Sequence, residues 1–155
     1  MYDTRNLDAI VSALMDLTGC LNSPRQDDVL LREAGVALDR ALFPLLVRLA
    51  AEERMAVARL AERVGRDAST VSRQLAKLED LGLIKRPPAQ EDMRVREAAI
   101  TKAGARTVDA IGDARRKMLD AMLSDWSVEE RRLFPKLVQR LADAMKTTQT
   151  DASAS

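Results

Sequence analysis

Within the nine residues from Ser69 to Lys77 the chain sets Ser69, Thr70, Ser72, Arg73, Gln74 and Lys77. Hydroxyl, guanidinium, carboxamide and ammonium groups grouped this tightly suit hydrogen bonding to base edges and phosphates. An arginine fork matches the O6/N7 edge of guanine, a glutamine amide matches adenine, and hydroxyls and lysine reach phosphate oxygens. No carboxylate intrudes until Glu79. Bond-breaking chemistry is poorly served by comparison. The chain has no histidine, and its single cysteine, Cys20, has no basic neighbour in sequence that would activate it as a nucleophile. The carboxylate pairs Glu52-Glu53, Glu79-Asp80 and Glu129-Glu130 are adjacent in sequence, so on a helix they diverge. There is no glycine-rich phosphate loop. A non-enzyme is expected, with no metal and no cofactor.

The elements that would hold this cluster are legible around it. Val71, Leu75 and Leu78 recur at steps of four and three, giving the same segment an inward apolar face. Asp67 is placed to cap that helix through the amide of Ser69 or Thr70. Gly65 supplies a turn, and Ala61 lets a preceding helix, Ala58 to Val64, approach closely. A helix-turn-helix follows from these offsets. An ordinary helical pair with a solvated polar face is the plainer reading. The small residue, the turn glycine, the cap and the polar cluster all falling in register argue against it.

Downstream, Gly82 ends the second helix, Leu83 to Arg86 turns extended, and Val95 to Ile100 is a second extended run. Pro87-Pro88 and a charged loop separate them. Arg54 to Val57 is a further short strand candidate. Two strands joined by a projecting loop make a wing, and its Arg94 and Arg96 suit a narrow, electronegative minor groove.

Flanking segments are helical. Leu7, Ile10, Leu14, Leu17 and Leu21 form a stripe, beside which Cys20 reads as a small buried or half-buried side chain. Ser23-Pro24-Arg25-Gln26 has the form of a capping box, as does Ser127-Val128-Glu129-Glu130. Pro44 implies a distortion or late start in the helix around it, and Pro135 a kink in the last one. Trp126 is expected to anchor packing between the last two helices.

At 155 residues, 46% hydrophobic and 32% charged, the chain suits one domain or two closely packed halves. Net charge is only +1, but it is unevenly spread. Residues 1–53 carry 5 Lys/Arg against 9 Asp/Glu, and residues 63–106 carry 10 against 6. A basic middle block beside an acidic one is the footprint of a nucleic-acid reader on a neutral scaffold. No run of about 18 apolar residues crosses a bilayer and no leader is evident, so a cytoplasmic protein is expected.

LAERVGRDASTVSRQLAKLEDLGLIKR, followed by EDMRVREAAITKAG, resembles the MarR-type (multiple antibiotic resistance regulator) transcriptional regulators. The likeness is close from about Leu30 to Ala105. It rests on the Leu81-Gly82-Leu83-Ile84 helix end, on Asp92 and Arg94 in the wing, and on the Ile100-Thr101-x-x-Gly104 exit. It implies a homodimer with intertwined N- and C-terminal helices, reading a palindromic double-stranded DNA operator. It also implies repression more often than activation, frequently relieved by a small aromatic or anionic effector. The resemblance places Ser69, Thr70, Ser72 and Arg73 toward the major groove and Arg94 toward the minor groove. Asp92 would orient the wing through an arginine, for which Arg86 is the candidate. Gln74, Lys77 and Arg96 complete the expected DNA contacts. Ala56 and Ala58 depart from the family, standing where many relatives carry small hydroxyl residues.

The expected fold is therefore mainly α with a small β-wing. Residues 1–35 and 105–146 would be dimerisation helices, 36–104 the winged helix-turn-helix, and 147–155 a disordered tail. A winged helix that binds protein instead of DNA is the alternative. It would need large exposed apolar side chains where the Ser/Thr/Arg face stands.

Overall fold

The computed structural model describes residues 3–87 and 95–153, the last four by backbone alone. The elements in order are α1 Thr4–Leu21, α2 Pro24–Glu33, α3 Phe43–Glu52, β1 Arg54–Ala56, α4 Val57–Val64, α5 Ala68–Asp80, β2 Ile84–Lys85, β3 Glu97–Ile100, α6 Lys102–Met122 and α7 Val128–Ser153. Two compact units divide the chain, one ending at Arg115 and the other beginning at Arg116.

In the first unit the core is aliphatic. Leu45, Leu46 and Leu49 of α3, Leu60 of α4, Val71, Leu75 and Leu78 of α5, Ile84 of β2 and Ile111 of α6 are all buried. Each helix contributes residues three or four apart, so one stripe per helix faces inward. The sheet has the order β1-β3-β2 with both pairings antiparallel. Met55 sits opposite Ala98, and Ile84 opposite Ile100. β1, expected from sequence as a further short strand at Arg54 to Val57, forms one edge of the sheet beside β3.

Proline and capping decide the helix starts. Pro44 stands in the first turn of α3, where its missing N–H costs nothing, so the helix begins late instead of bending. Asp39 closes the turn before it, accepting from the Ala41 amide at 2.9 Å. At α2, Pro24 occupies the first turn but the Ser23 side chain makes no cap bond, so that capping box does not form. The Gln26 amide instead donates to the Ser23 carbonyl at 3.0 Å. α6 begins three residues earlier than its periodicity suggested, taking Gly104 into its first turns.

α1 contains no buried residue, and its Leu7, Ile10, Leu17 and Leu21 are exposed. Cys20 is exposed as well, contrary to the buried or half-buried position expected from sequence. The reason is that the stripe beside it, Leu14 apart, lies uncovered in a single chain.

In the second unit the Ser127–Glu130 capping box forms in both directions. The Ser127 amide donates to the Glu130 carboxylate at 2.7 Å, and the Glu130 amide donates to Ser127 Oγ at 3.2 Å. The Ser127 amide foremost, then the Ser127 hydroxyl, holds the Glu130 carboxyl below its ordinary value. Trp126 is half-buried and meets Phe134 edge-on, with ring centroids 4.9 Å apart. Arg131 ties the start of α7 back to α6, donating from Nε to the Leu123 carbonyl at 2.9 Å and pairing with Asp120 at 2.7 Å. α7 runs through Pro135 without a break. It also runs on to Ser153, where sequence suggested a disordered tail from residue 147. Thr147 and Thr148 donate back to the Asp143 and Ala144 carbonyls, and adding a turn to an existing helix avoids the cost of nucleation.

Candidate nucleic-acid interface

α4 ends at Gly65, whose φ of +65° a side chain would oppose. The Arg66 amide then donates to the Ala61 carbonyl at 3.0 Å, so the chain reverses within two residues. Asp67 caps α5 by accepting from the Thr70 amide at 2.8 Å. Its carboxylate also accepts from Ser69 Oγ at 2.5 Å and from Thr70 Oγ1 at 2.7 Å. The Ser69 hydroxyl first, then the hydroxyl and amide of Thr70, hold the Asp67 carboxyl well below the usual carboxylate range.

Burial of Val71, Leu75 and Leu78 fixes which way α5 faces. Ser69, Arg73 and Lys77, at four-residue steps, lie on the opposite side and are exposed. Arg73 Nη2 rests on Thr70 Oγ1 at 3.3 Å. Thr70 and Ser72 are half-buried on the two flanks. Gln74 is half-buried too, and its Oε1 accepts from Arg66 Nη1 at 2.9 Å. The same Arg66 nitrogen donates to the Ala41 carbonyl at 2.7 Å, fastening the turn and Gln74 to the loop before α3. Gln74 therefore keeps its amide donors and one lone pair of Oε1 for a ligand.

Arg86 lies against α5 rather than pointing away from it. It donates to the Ser72 carbonyl at 2.9 Å and pairs with Glu79 at 3.3 Å. Asp92 and Arg94 lie outside the described residues. Arg96 is exposed just before β3, and its carbonyl accepts from the Val57 amide at 2.9 Å. That bond satisfies an α4 N-terminal amide where Ala56 offers no side-chain cap. An open cleft results, with Ala58, Ser69, Ser72, Arg73, Val95 and Arg96 among its walls. The expected major-groove and wing residues Ser69, Ser72, Arg73 and Arg96 are thus brought to one surface.

Sequence reasoning missed the Arg66 latch and the Arg96 closure, because both join residues far apart in the chain. It found Asp67 as a cap but not its hold on two hydroxyls. The Asp-x-Ser-Thr spacing was the available signal. No cluster of His, Cys, Asp and Glu with metal-binding geometry occurs among the described residues.

An exposed polar helix, turned outward by its own apolar face and flanked by a small three-stranded sheet, defines a winged helix-turn-helix protein. Residues 38–95 match the model of the MarR family. The uncharacterized HTH-type transcriptional regulator YxaD of Bacillus subtilis is 37% identical over 107 residues, spanning 69% of this chain and 75% of that protein. The chain belongs to the MarR family of transcriptional regulators. Its fold also matches the solved structure of a MarR family protein from Bacillus stearothermophilus, with a TM-score of 0.77 and 20% identity over 94% of this chain and 99% of that one. A mutant of S. aureus MepR bound to an oligodeoxyribonucleotide is similar at a TM-score of 0.59 and 20% identity, over 94% of this chain and 99% of that one.

Proposed function

We propose that this regulator binds double-stranded DNA sequence-specifically as a homodimer, presenting one α5 to each half of a palindromic operator, and acts as a repressor. The observation that carries the reading is the outward Ser69–Arg73–Lys77 face of α5, with Arg96 beside it and no large apolar side chain at its centre. The oligonucleotide-bound MepR relative supports DNA as the partner. Dimerisation is supported by apolar surface that one chain leaves uncovered. α1 exposes Leu7, Ile10, Met15, Leu17 and Leu21, and α7 exposes Leu133, Phe134, Leu137, Val138 and Leu141. A second copy would cover them, and the two-fold axis of such a dimer is what a palindrome mirrors. No helix among the described residues is long and apolar enough to cross a membrane. A cytoplasmic location and relief by a small aromatic or anionic effector complete the reading, the latter on family resemblance.

Ser69, Thr70, Ser72 and Arg73 would face bases, and Gln74 would offer its amide donors at the flank. Lys77, Lys85 and Arg96 would meet phosphates, and Arg94 the minor groove, with Asp92 and Arg86 setting the wing. Selection of binding sites from random DNA, followed by gel shifts, tests the assignment. Arg73→Ala is expected to lose about 1–3 kcal/mol of discrimination at one base pair per half-site. Arg96→Ala should weaken matched and scrambled DNA alike. Recovery of no preferred sequence, or two indistinguishable variants, would overturn it.

A further inference from the structure

We propose that Asp67, which need not touch DNA itself, is a positioning residue that fixes the hydrogen-bonding sense of the α5 reading edge. It makes Ser69 an acceptor and so selects a base carrying an exocyclic amine, cytosine or adenine, at the position Ser69 meets. This rests on the DNA-reading function proposed above and adds a chemical rule to it.

A hydroxyl facing a carboxylate oxygen must be the donor, because the carboxylate has no proton to give. Ser69 Oγ lies 2.5 Å from Asp67 Oδ1, and Thr70 Oγ1 lies 2.7 Å from Asp67 Oδ2. Each hydroxyl has one proton, and both are spent on the same carboxylate. Thr70 Oγ1 also receives Arg73 Nη2 at 3.3 Å, which takes up one of its lone pairs. Ser69, exposed at the tip of the helix, is left with lone pairs alone. In the major groove, acceptors on the protein match only the N6 amine of adenine and the N4 amine of cytosine. A serine free to rotate would read either sense, since a hydroxyl serves as donor or acceptor equally. The carboxylate removes that ambiguity. Arg73, a pure donor held over the same turn by Thr70, supplies the opposite sense for guanine. The tip of α5 therefore presents one acceptor and one donor fork side by side.

The carboxylate stays ionised across the physiological range, because three hydrogen bonds favour its charged form. The sense of the edge does not drift with pH.

The test uses the full-length protein and the sequence it selects from random DNA. Each cytosine of the half-site is replaced in turn by 2-pyrimidinone, and each adenine by purine, which deletes the exocyclic amine and, alike for every protein variant, the one Watson–Crick bond it makes. One position per half-site is expected to lose about fivefold in affinity with the wild-type protein, as one hydrogen bond to a base warrants. Ser69→Ala should abolish that sensitivity. Asp67→Gly removes both carboxylate oxygens and so frees the Ser69 proton, at a cap position that tolerates glycine. It should remain folded by circular dichroism, bind DNA, and accept a carbonyl in place of the amine at that position, thymine for cytosine or guanine for adenine, within about twofold where the wild type loses about fivefold, a change a merely structural cap would not produce. Asp67→Gly retaining the wild-type discrimination between amine and carbonyl overturns the proposal while leaving DNA reading intact. The proposal falls in the same way if no amine matters, or if Ser69→Ala retains the sensitivity. Failure of the wild-type protein to select any sequence overturns the DNA-reading function and this rule with it.

Discussion

Asp67 shows how much one side chain carries here. Its carboxyl lies below its ordinary value of 3.8 in the folded chain. The unfolded chain takes up that proton near pH 4, whereas the folded one resists until well below it. The contribution of the ionised group is therefore complete above about pH 4 and is lost as pH falls toward the folded value. Urea unfolding of wild type and Asp67→Asn should show a constant gap from about pH 5 to 7 that shrinks below about pH 4. A gap that persists unchanged into strong acid would contradict the cap geometry. Glu53 is a second case, with φ +62° and ψ −37° at the end of α3. It is the one non-glycine residue with positive φ among those described. Its carbonyl accepts from the Ile100 amide at 2.9 Å, which ties the turn to the wing and holds the backbone there. Relief of such strain exceeds the added chain entropy of glycine, so Glu53→Gly is expected to stabilise by about 1 kcal/mol in urea titration.

At the scale of elements, the decisive joint is where the end of α5 meets the start of α6. Thr101 Oγ1 donates to the Gly82 carbonyl at 2.7 Å and accepts from the Gly104 amide at 3.1 Å. The Thr101 amide donates to the Leu83 carbonyl at 3.1 Å. Gly104 packs so closely on this turn that a Cβ would strike the Leu83 carbonyl oxygen and come within 2.8 Å of Ile100 Cγ1. The Ile-Thr-x-x-Gly exit is thus a clamp that fixes α6 to the end of α5. Gly104→Ala would gain about 1 kcal/mol of helix propensity. It would lose about 1–3 kcal/mol to overpacking, at the upper end because a backbone carbonyl cannot rotate aside. Net destabilisation is expected, read as a lower urea midpoint at unchanged m-value. A stabilised Gly104→Ala would show that the two elements are less tightly joined than the geometry requires.

For the molecule as a whole, electrostatics and assembly make the predictions. Lys77, Lys85 and Arg96 are all exposed. If each meets a phosphate in both halves of a dimer, log affinity should fall against log salt with a slope of about −5. Lys85→Ala should shallow that slope by about 2, one contact being lost per subunit. A slope near zero would mean that this surface does not meet a phosphate backbone. Dimerisation through α1 and α7 predicts a melting temperature that rises with protein concentration. Leu137→Asp on α7 should abolish that dependence, and sedimentation should then report a single chain. A wild-type chain that sediments as a monomer would leave its exposed apolar faces unexplained.

Local patterns determined most of what the sequence revealed. Periodic leucines and valines, a glycine able to take positive φ, an aspartate three residues before Thr70, and the Ser127–Glu130 box all act within a few residues. The helix-turn-helix, the wing and the outward side of α5 could therefore be read from the chain alone. Tertiary structure decided what links distant residues: β3 between β1 and β2, Arg66 on Ala41 and Gln74, Arg86 on Ser72, and the Arg96 carbonyl on Val57. It also decided that the α1 stripe stays bare, taking Cys20 with it, and that α7 extends through the threonines expected to be disordered. Hydrophobic periodicity shows that a face is apolar, but only the folded chain shows whether anything in it comes to cover that face.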